Sequence, residues 1–230
     1  MVVPLEVTTG DPEPKPKDLE GKTFGLQADG DFYLQAFAKK NGVDLTKVKK
    51  EIVQATAEPL LVVKVDIFTG LITNQTYQID LEVAKPDALA NLKGKVWKAM
   101  RYQDYAVPAY SDVIFATSKT IKEKPELVKG YVRAVARAMQ FILDNPAPSI
   151  ELVANYAEQI EKADKLTWRW NIQNKLFVSE DTKKNGLLWM NPSNWDQSIA
   201  FYKEYDQIPK VIPAAEMMTN DFIPGPNLKV

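Results

Sequence analysis

Thr23-Phe24-Gly25-Leu26-Gln27, then Ala28-Asp29-Gly30-Asp31, then Phe32-Tyr33-Leu34-Gln35-Ala36-Phe37-Ala38-Lys39-Lys40, is the stretch that decides the fold class. The first five residues are a short apolar run of the kind a buried strand shows. The next four are turn chemistry. Phe32, Tyr33, Ala36 and Phe37 then recur at i, i+1, i+4 and i+5, which is one face of a helix. Asp29 or Asp31 is placed to cap that helix, and Asn41-Gly42 to end it, since glycine takes the left-handed C-terminal position without a Cβ penalty. A strand followed by a helix that must bury one face is the α/β pattern.

The pattern repeats downstream. Ile52-Val53-Gln54-Ala55 reads as a second strand and Glu58 to Val63 as a short helix, with Pro59 tolerated in its first turn. Asp66 to Gly70 reads as a third strand, Thr73 to Val83 as a helix, and Val96 to Tyr102 as another strand. Val113-Ile114-Phe115-Ala116-Thr117 is expected to be one more. Glu123 to Leu143 is a long amphipathic helix, with Leu127, Tyr131, Val135, Met139 and Leu143 at steps of four. Pro125 fits its first turn and Asn145-Pro146 stops it. Further helices are expected at 148–161, 163–176 and 194–205. The alternating prolines of residues 8–18 make an extended polar connector.

The 230 residues are 45% hydrophobic and 26% charged, an ordinary globular balance. A chain of this size buries about 70% of its extended surface. With 29 Lys plus Arg against 30 Asp plus Glu, the net charge is -1. That argues against a general nucleic-acid or anionic-membrane binder, which needs a cationic surface. Lys47-Val48-Lys49-Lys50 reads as a solvated turn. The sequence has no cysteine and no histidine. Disulfides, cysteine nucleophiles, a Ser-His-Asp triad and His-based metal helices are therefore excluded. No apolar run approaches the ~20 residues of a membrane span. Met1 to Leu5 lacks the pattern of a signal peptide, so the chain reads as cytoplasmic or as a piece that starts downstream of its targeting segment.

Three places offer ligand chemistry. Gln27 to Asp31 joins a strand to a helix start, where backbone N–H groups can meet a polar ligand; the aspartates there are either caps or contacts. Thr69-Gly70-Leu71-Ile72-Thr73-Asn74-Gln75 ends a strand, and open α/β sheets bind at strand carboxyl ends. Thr73 is either an N-cap or a contact, and Asn74 offers both a donor and an acceptor. Asp104 to Asp112 places Tyr105, Pro108 and Tyr110 between two strands. Those tyrosines can stack on a planar ligand, and the segment can equally serve as a rigid crossover. The tryptophans Trp97, Trp168, Trp170, Trp189 and Trp195 read mainly as core. Glu151 and Glu158 read as a solvated helix face.

Asp18-Leu19-Glu20-Gly21-Lys22-Thr23, Val65-Asp66-Ile67-Phe68-Thr69-Gly70, Asp104-Tyr105-Ala106-Val107-Pro108, Glu126-Leu127-Val128, Asp144-Asn145-Pro146 and Thr219-Asn220-Asp221-Phe222-Ile223-Pro224 follow in order. Together, over residues 18–224, they resemble substrate-binding proteins of bacterial ABC importers. The branch is that of thiamine-pyrimidine-precursor binders, with nitrate, sulfonate and taurine binders as relatives.

The resemblance implies an α/β, type II periplasmic-binding-protein-like fold with two lobes and a hinge. The first lobe is incomplete, because such proteins usually begin with a further long stretch. On that reading, residues 1–17 are a lead-in, 18–105 are lobe 2, 106–112 are the hinge, 113–224 are the returning, mostly helical part of lobe 1, and 225–230 are a tail. It implies a non-enzymatic solute binder without a cofactor, working with a small-molecule ligand and a membrane permease. Its place is the periplasm or, as a lipoprotein, the outer face of the cell. Gln27, Asp29, Phe32, Thr69, Asn74, Tyr105 and Tyr110 are the expected ligand contacts. Enzymes of the pyrimidine-synthase branch use a histidine and a cysteine-rich segment, which this chain lacks. An enzyme built on Asp, Tyr or Lys, or a ligand-sensing module, are the alternatives.

Overall fold

The fold, taken from a computed structural model, is described for residues 2–6, 13–88, 90, 92–108, 112–156 and 162–228. The chain divides into two compact units, residues 1–109 and 110–230.

The first unit is built on a five-stranded sheet. Its strands are β1 (Val2–Glu6), β2 (Thr23–Leu26), β3 (Lys49–Ile52), β4 (Ile67–Thr69) and β5 (Val96–Trp97). They lie in the order β3-β2-β4-β1-β5. β2 runs parallel to both β3 and β4, while β1 runs antiparallel to β4 and β5. Successive parallel strands need crossovers, supplied by helices α1 (Asp31–Asn41), α2 (Glu58–Leu61) and α3 (Gln75–Val83), of which α1 alone joins sheet neighbours. Of the expected face of α1, Phe32 and Tyr33 are only partly buried, while Ala36 and Phe37 are fully buried, together with Leu34, Phe24, Leu26 and Phe68. Losing one of these phenylalanine side chains costs about 3–5 kcal/mol. Val53, Ala57, Leu60, Val65, Phe68 and Ile79 form a second cluster beneath α2 and α3. Gly42 ends α1 at φ 68°, with its N–H donating to the Ala38 carbonyl.

The second unit is helical: α4 (Ser118–Glu123), α5 (Pro125–Asp144), α6 (Pro146–Tyr156), α7 (Ala163–Phe177), α8 (Glu180–Asn185), α9 (Pro192–Glu204) and α10 (Ala214–Met217). Neighbours in sequence pack together: α4 on α5, α5 on α6, α6 on α7 and α9 on α10. Asn220 acts as a backbone clamp. Its Oδ1 accepts from Met190 N at 3.0 Å and its Nδ2 donates to Met190 O at 2.8 Å. Among the described residues, no helix is long and apolar enough to cross a membrane.

Several sequence expectations are corrected. Residues 1–17 contain strand β1, because Val2 to Pro4 pair with Thr69 to Ile67. The second strand lies at Lys49–Ile52, not at 52–55; an edge strand with one neighbour needs no apolar run and tolerates charged side chains. The strand expected at 96–102 is only Val96–Trp97, and Tyr102–Tyr105 form a 3-10 turn. Residues 113–117 are not a strand. They have no ladder partner among the described residues, and Phe115 is 89% exposed. The buried stripe of α5 runs through Val132 and Ala136, while Leu127 and Tyr131 face outward. The helix expected at 148–161 is Pro146–Tyr156; residues 157–161 of that expectation lie outside the described residues.

A candidate ligand site at the carboxyl ends of two strands

The parallel register of β2 and β4 pairs Phe24 with Ile67 and Gly25 with Phe68. Leu26 is therefore level with Thr69, and Gln27 emerges beside Gly70. β2 leads through α1 outward to β3, whereas β4 leads through α3 toward the opposite edge of the sheet. The gap between β2 and β4 is thus the point where the winding of the sheet reverses. In open α/β sheets a crevice forms there, outside the carboxyl ends of the strands. Gly25 lets side chains pack over β2: a Cβ there would meet Val53 at 3.1 Å and Val65 at 3.2 Å.

An aromatic wall stands beside this point. Tyr33, on the first turn of α1, lies against Tyr102 with ring centroids 5.7 Å apart and planes 26° from parallel. Phe37, one turn on, meets Tyr102 edge-on at 5.9 Å. The Tyr102 hydroxyl is 3.3 Å from Thr69 Oγ1. Burial pushes the Tyr102 phenol up to about 12, and the bond to Thr69 pulls it back only in part. The group is therefore uncharged near neutral pH and keeps a proton to donate.

The loop into α1 is acidic and does not cap in the expected way. The N-cap is Gly30, and no side chain caps the helix. Asp31 instead accepts from Lys50 Nζ and from Gln35 Nε2, both at 2.7 Å. Burial raises the Asp31 carboxyl, but these two donors together outweigh it and hold the group below its ordinary range. Asp29 is exposed and takes no hydrogen bond or ion pair among the described residues. The Gln27 Nε2 is shielded from solvent and has no hydrogen-bond partner among the described residues.

Of the expected contacts, the structure brings Gln27, Asp29, Phe32 and Thr69 to this one sheet end. Asn74 is the N-cap of α3 on the neighbouring loop, without a side-chain capping bond; the cap is thus not Thr73. That loop is braced by Gln75, which accepts from Leu71 N at 2.9 Å and donates to Ala55 O at 3.0 Å. Tyr105 lies one ring further away, edge-on to Phe37 at 5.3 Å, with its carbonyl held by Asn41 Nδ2 at 3.1 Å. Asn41 is the last residue of α1, so the Tyr105 backbone belongs to the far end of that helix. Tyr110 lies outside the described residues. Tyr33 and Tyr102 were not singled out from sequence; the i, i+4 spacing of Tyr33 and Phe37 was the available signal. Among the described residues, no group of Asp and Glu is arranged to hold a metal ion.

Comparison with known proteins places this geometry. The periplasmic aliphatic sulphonate binding protein SsuA of Escherichia coli superimposes with a TM-score of 0.57, at 10% identity over 95% of this chain and 64% of its own. The periplasmic sulfonate-binding SsuA of Methylobacillus flagellatus gives 0.55, at 16% identity over 96% and 64%. The enzyme DszB, solved with biphenyl-2-sulfinic acid, gives 0.56, at 11% identity over 96% and 74%. The fold is thus the α/β fold of periplasmic binding proteins, of which this chain spans less than two thirds of either SsuA. A riboflavin-binding protein, RibY of Chloroflexus aurantiacus, is 25% identical over 114 residues, 49% of this chain and 32% of that protein. The model of the family described as NMT1/THI5 like matches residues 7–149, well over half of the 230 residues, and the chain belongs to that family.

Proposed function

We propose that this chain is a solute-binding component of an ABC-type importer, taking a small, planar, heterocyclic ligand of thiamine-precursor type and delivering it to a membrane permease. The reading puts the protein in the periplasm or, as a lipoprotein, on the outer face of the membrane. The observation that carries it is the reversal point between β2 and β4. There a hydroxyl pair, Thr69 and Tyr102, adjoins a flat aromatic wall. Flat rings gain contact area from such a wall and orientation from a few polar groups. Gln27, Asp29, Phe32 and Thr69 are the proposed contacts, with Tyr33 and Tyr102 added; Asn74 and Tyr105 complete the set from flanking positions, and Tyr110 is proposed from the sequence alone. RibY, which is named for riboflavin, supports a ring ligand, and the SsuA proteins support a solute-binding role.

A thermal-shift panel of riboflavin, pyrimidine precursors of thiamine, taurine, alkanesulfonates and nitrate tests it. Ligand at ~100 times its Kd stabilises by about 2.7 kcal/mol, a rise of roughly 5–10 °C for a chain of this size. A selective rise that falls by about half or more in Thr69→Val and Tyr102→Phe, the mark of a tenfold loss of affinity, is the expected outcome. No rise with any compound overturns the reading. The resemblance to DszB favours one second reading, turnover. With no Cys or His and a protonated Tyr102, this chain offers little base chemistry at that point, so bound ligand should be recovered chemically unchanged by mass spectrometry.

A further inference from the structure

Helix α5 carries more apolar surface than its own unit covers. At about 100° of turn per residue, its charged side chains Glu126, Lys129, Arg133, Arg137 and Asp144 share one narrow arc, and most of the remaining circumference is apolar. Val132 and Ala136, in one half of the apolar arc, are buried in the unit. The other half is bare. Leu127 is 62% exposed, Tyr131 59% and Phe141 38%, and Ala134 and Ala138 between them are exposed as well.

Leu127, Tyr131, Ala134, Ala138 and Phe141 follow one another at steps of four, three, four and three. That alternation is the a and d spacing of a coiled-coil seam, which keeps one narrow line of residues toward a facing helix. It points to a helix as the occupant rather than a small solute or a strand. Among the described helices, no other exposes apolar residues at this spacing over four turns.

The order of sizes along the seam matches it to itself. An identical helix laid antiparallel, with a two-fold axis between positions 132 and 133, sets Leu127 against the partner's Ala138 and Tyr131 against the partner's Ala134. Each large side chain then fills the space over a small one. Phe141 covers the first turn of the partner helix. Glu126 and Arg137 lie on the same edge of the seam, and in an antiparallel pair like edges meet, so Glu126 comes beside the partner's Arg137. Lys129 and Arg133 lie further round, toward solvent. Leu127, Tyr131 and Phe141 leave roughly 300 Å² bare on each copy. With the alanines and flanking stems, a pair buries about 1,000 Å², the lower bound for a specific contact. A net charge of -1 adds little repulsion between copies.

We propose that α5 is a self-association surface, through which two copies of this chain pair antiparallel about a two-fold axis. The proposal concerns the second unit and does not depend on the solute-binding reading.

Sedimentation equilibrium of the full chain from about 1 to 300 µM tests it. The mass is expected to rise with concentration from one chain toward two. Tyr131→Ser and Ala134→Arg, both at exposed positions, should each raise the dimer Kd at least tenfold with Tm unchanged. Glu126→Arg and Arg137→Glu should each weaken the dimer about threefold or more, and the double variant should recover the wild-type Kd, because opposite charges then meet again across the axis. These swaps lie on the solvent edge and carry the test if a seam variant loses Tm. The mass of one chain at every concentration overturns the proposal. So does a dimer that Ala134→Arg leaves intact, since another surface then holds it. A double swap that fails to recover affinity overturns the antiparallel pairing.

Discussion

Tyr102 joins stability to pH in a way one substitution can isolate. In the unfolded chain its phenol releases a proton near pH 10; in the folded protein burial delays this to about 12. Between those values the unfolded state binds fewer protons, so stability falls as pH rises. The contribution is whole below pH 10 and is lost on the way to 12. Urea midpoints at pH 9, 10 and 11 should therefore fall more steeply for the wild type than for Tyr102→Phe, which cannot titrate. Parallel slopes would mean that Tyr102 is solvated in the folded state. Residues such as Gln27 and Thr69 were legible in the sequence because they follow apolar runs, and strand ends are where α/β ligands sit. Tyr102 was not, because its partners Tyr33 and Thr69 are remote in sequence and meet only through the sheet.

Elements were legible where the local pattern and the tertiary partner agree. β2, α1, α3, α7 and α9 lie within two residues of their expected bounds, since each has an apolar face and a surface to bury it on. The misplaced elements are those whose residues do not show their burial. β3 is written in Lys49, Lys50 and Glu51, and its ladder comes from β2 alone. Residues 113–117 have the reverse problem, strand composition without a neighbouring strand among the described residues. The short helix α8 was missed because it has no buried residue; it depends on its ends. Ser179 opens it with a capping box, and Gly186 closes it at φ 108°, where a Cβ would sit 2.6 Å from the Gly225 carbonyl. Gly186→Ala should therefore cost about 2–4 kcal/mol, from backbone strain and overpacking together. Chemical denaturation measures this, and a loss under about 0.5 kcal/mol would show that the Gly225 turn moves aside freely.

At the scale of the molecule, a net charge of -1 leaves little electrostatic repulsion between copies, so apolar exposure governs solubility. That exposure is considerable: Phe115 and Tyr156 are nearly bare, and Leu127 and Tyr131 are more than half exposed. Phe115→Ser should leave stability within about 0.5 kcal/mol and lower the fluorescence of an apolar dye. A large loss of stability would mean that Phe115 is packed in solution. The sheet of the first unit raises a different matter, the order in which it is made. β1 meets β4 through Val2 and Thr69 and β5 through Leu5 and Trp97, and among the described residues it alone joins β5 to the sheet. On the ribosome, β2, α1 and β3 can assemble as soon as they emerge, whereas β1 must wait for two strands synthesised long after it. Pairings that distant in sequence are slow to form. Until Thr69 and Trp97 have emerged, β1 has unpaired edges, so chaperone occupancy on this nascent chain should concentrate before Trp97 leaves the exit tunnel.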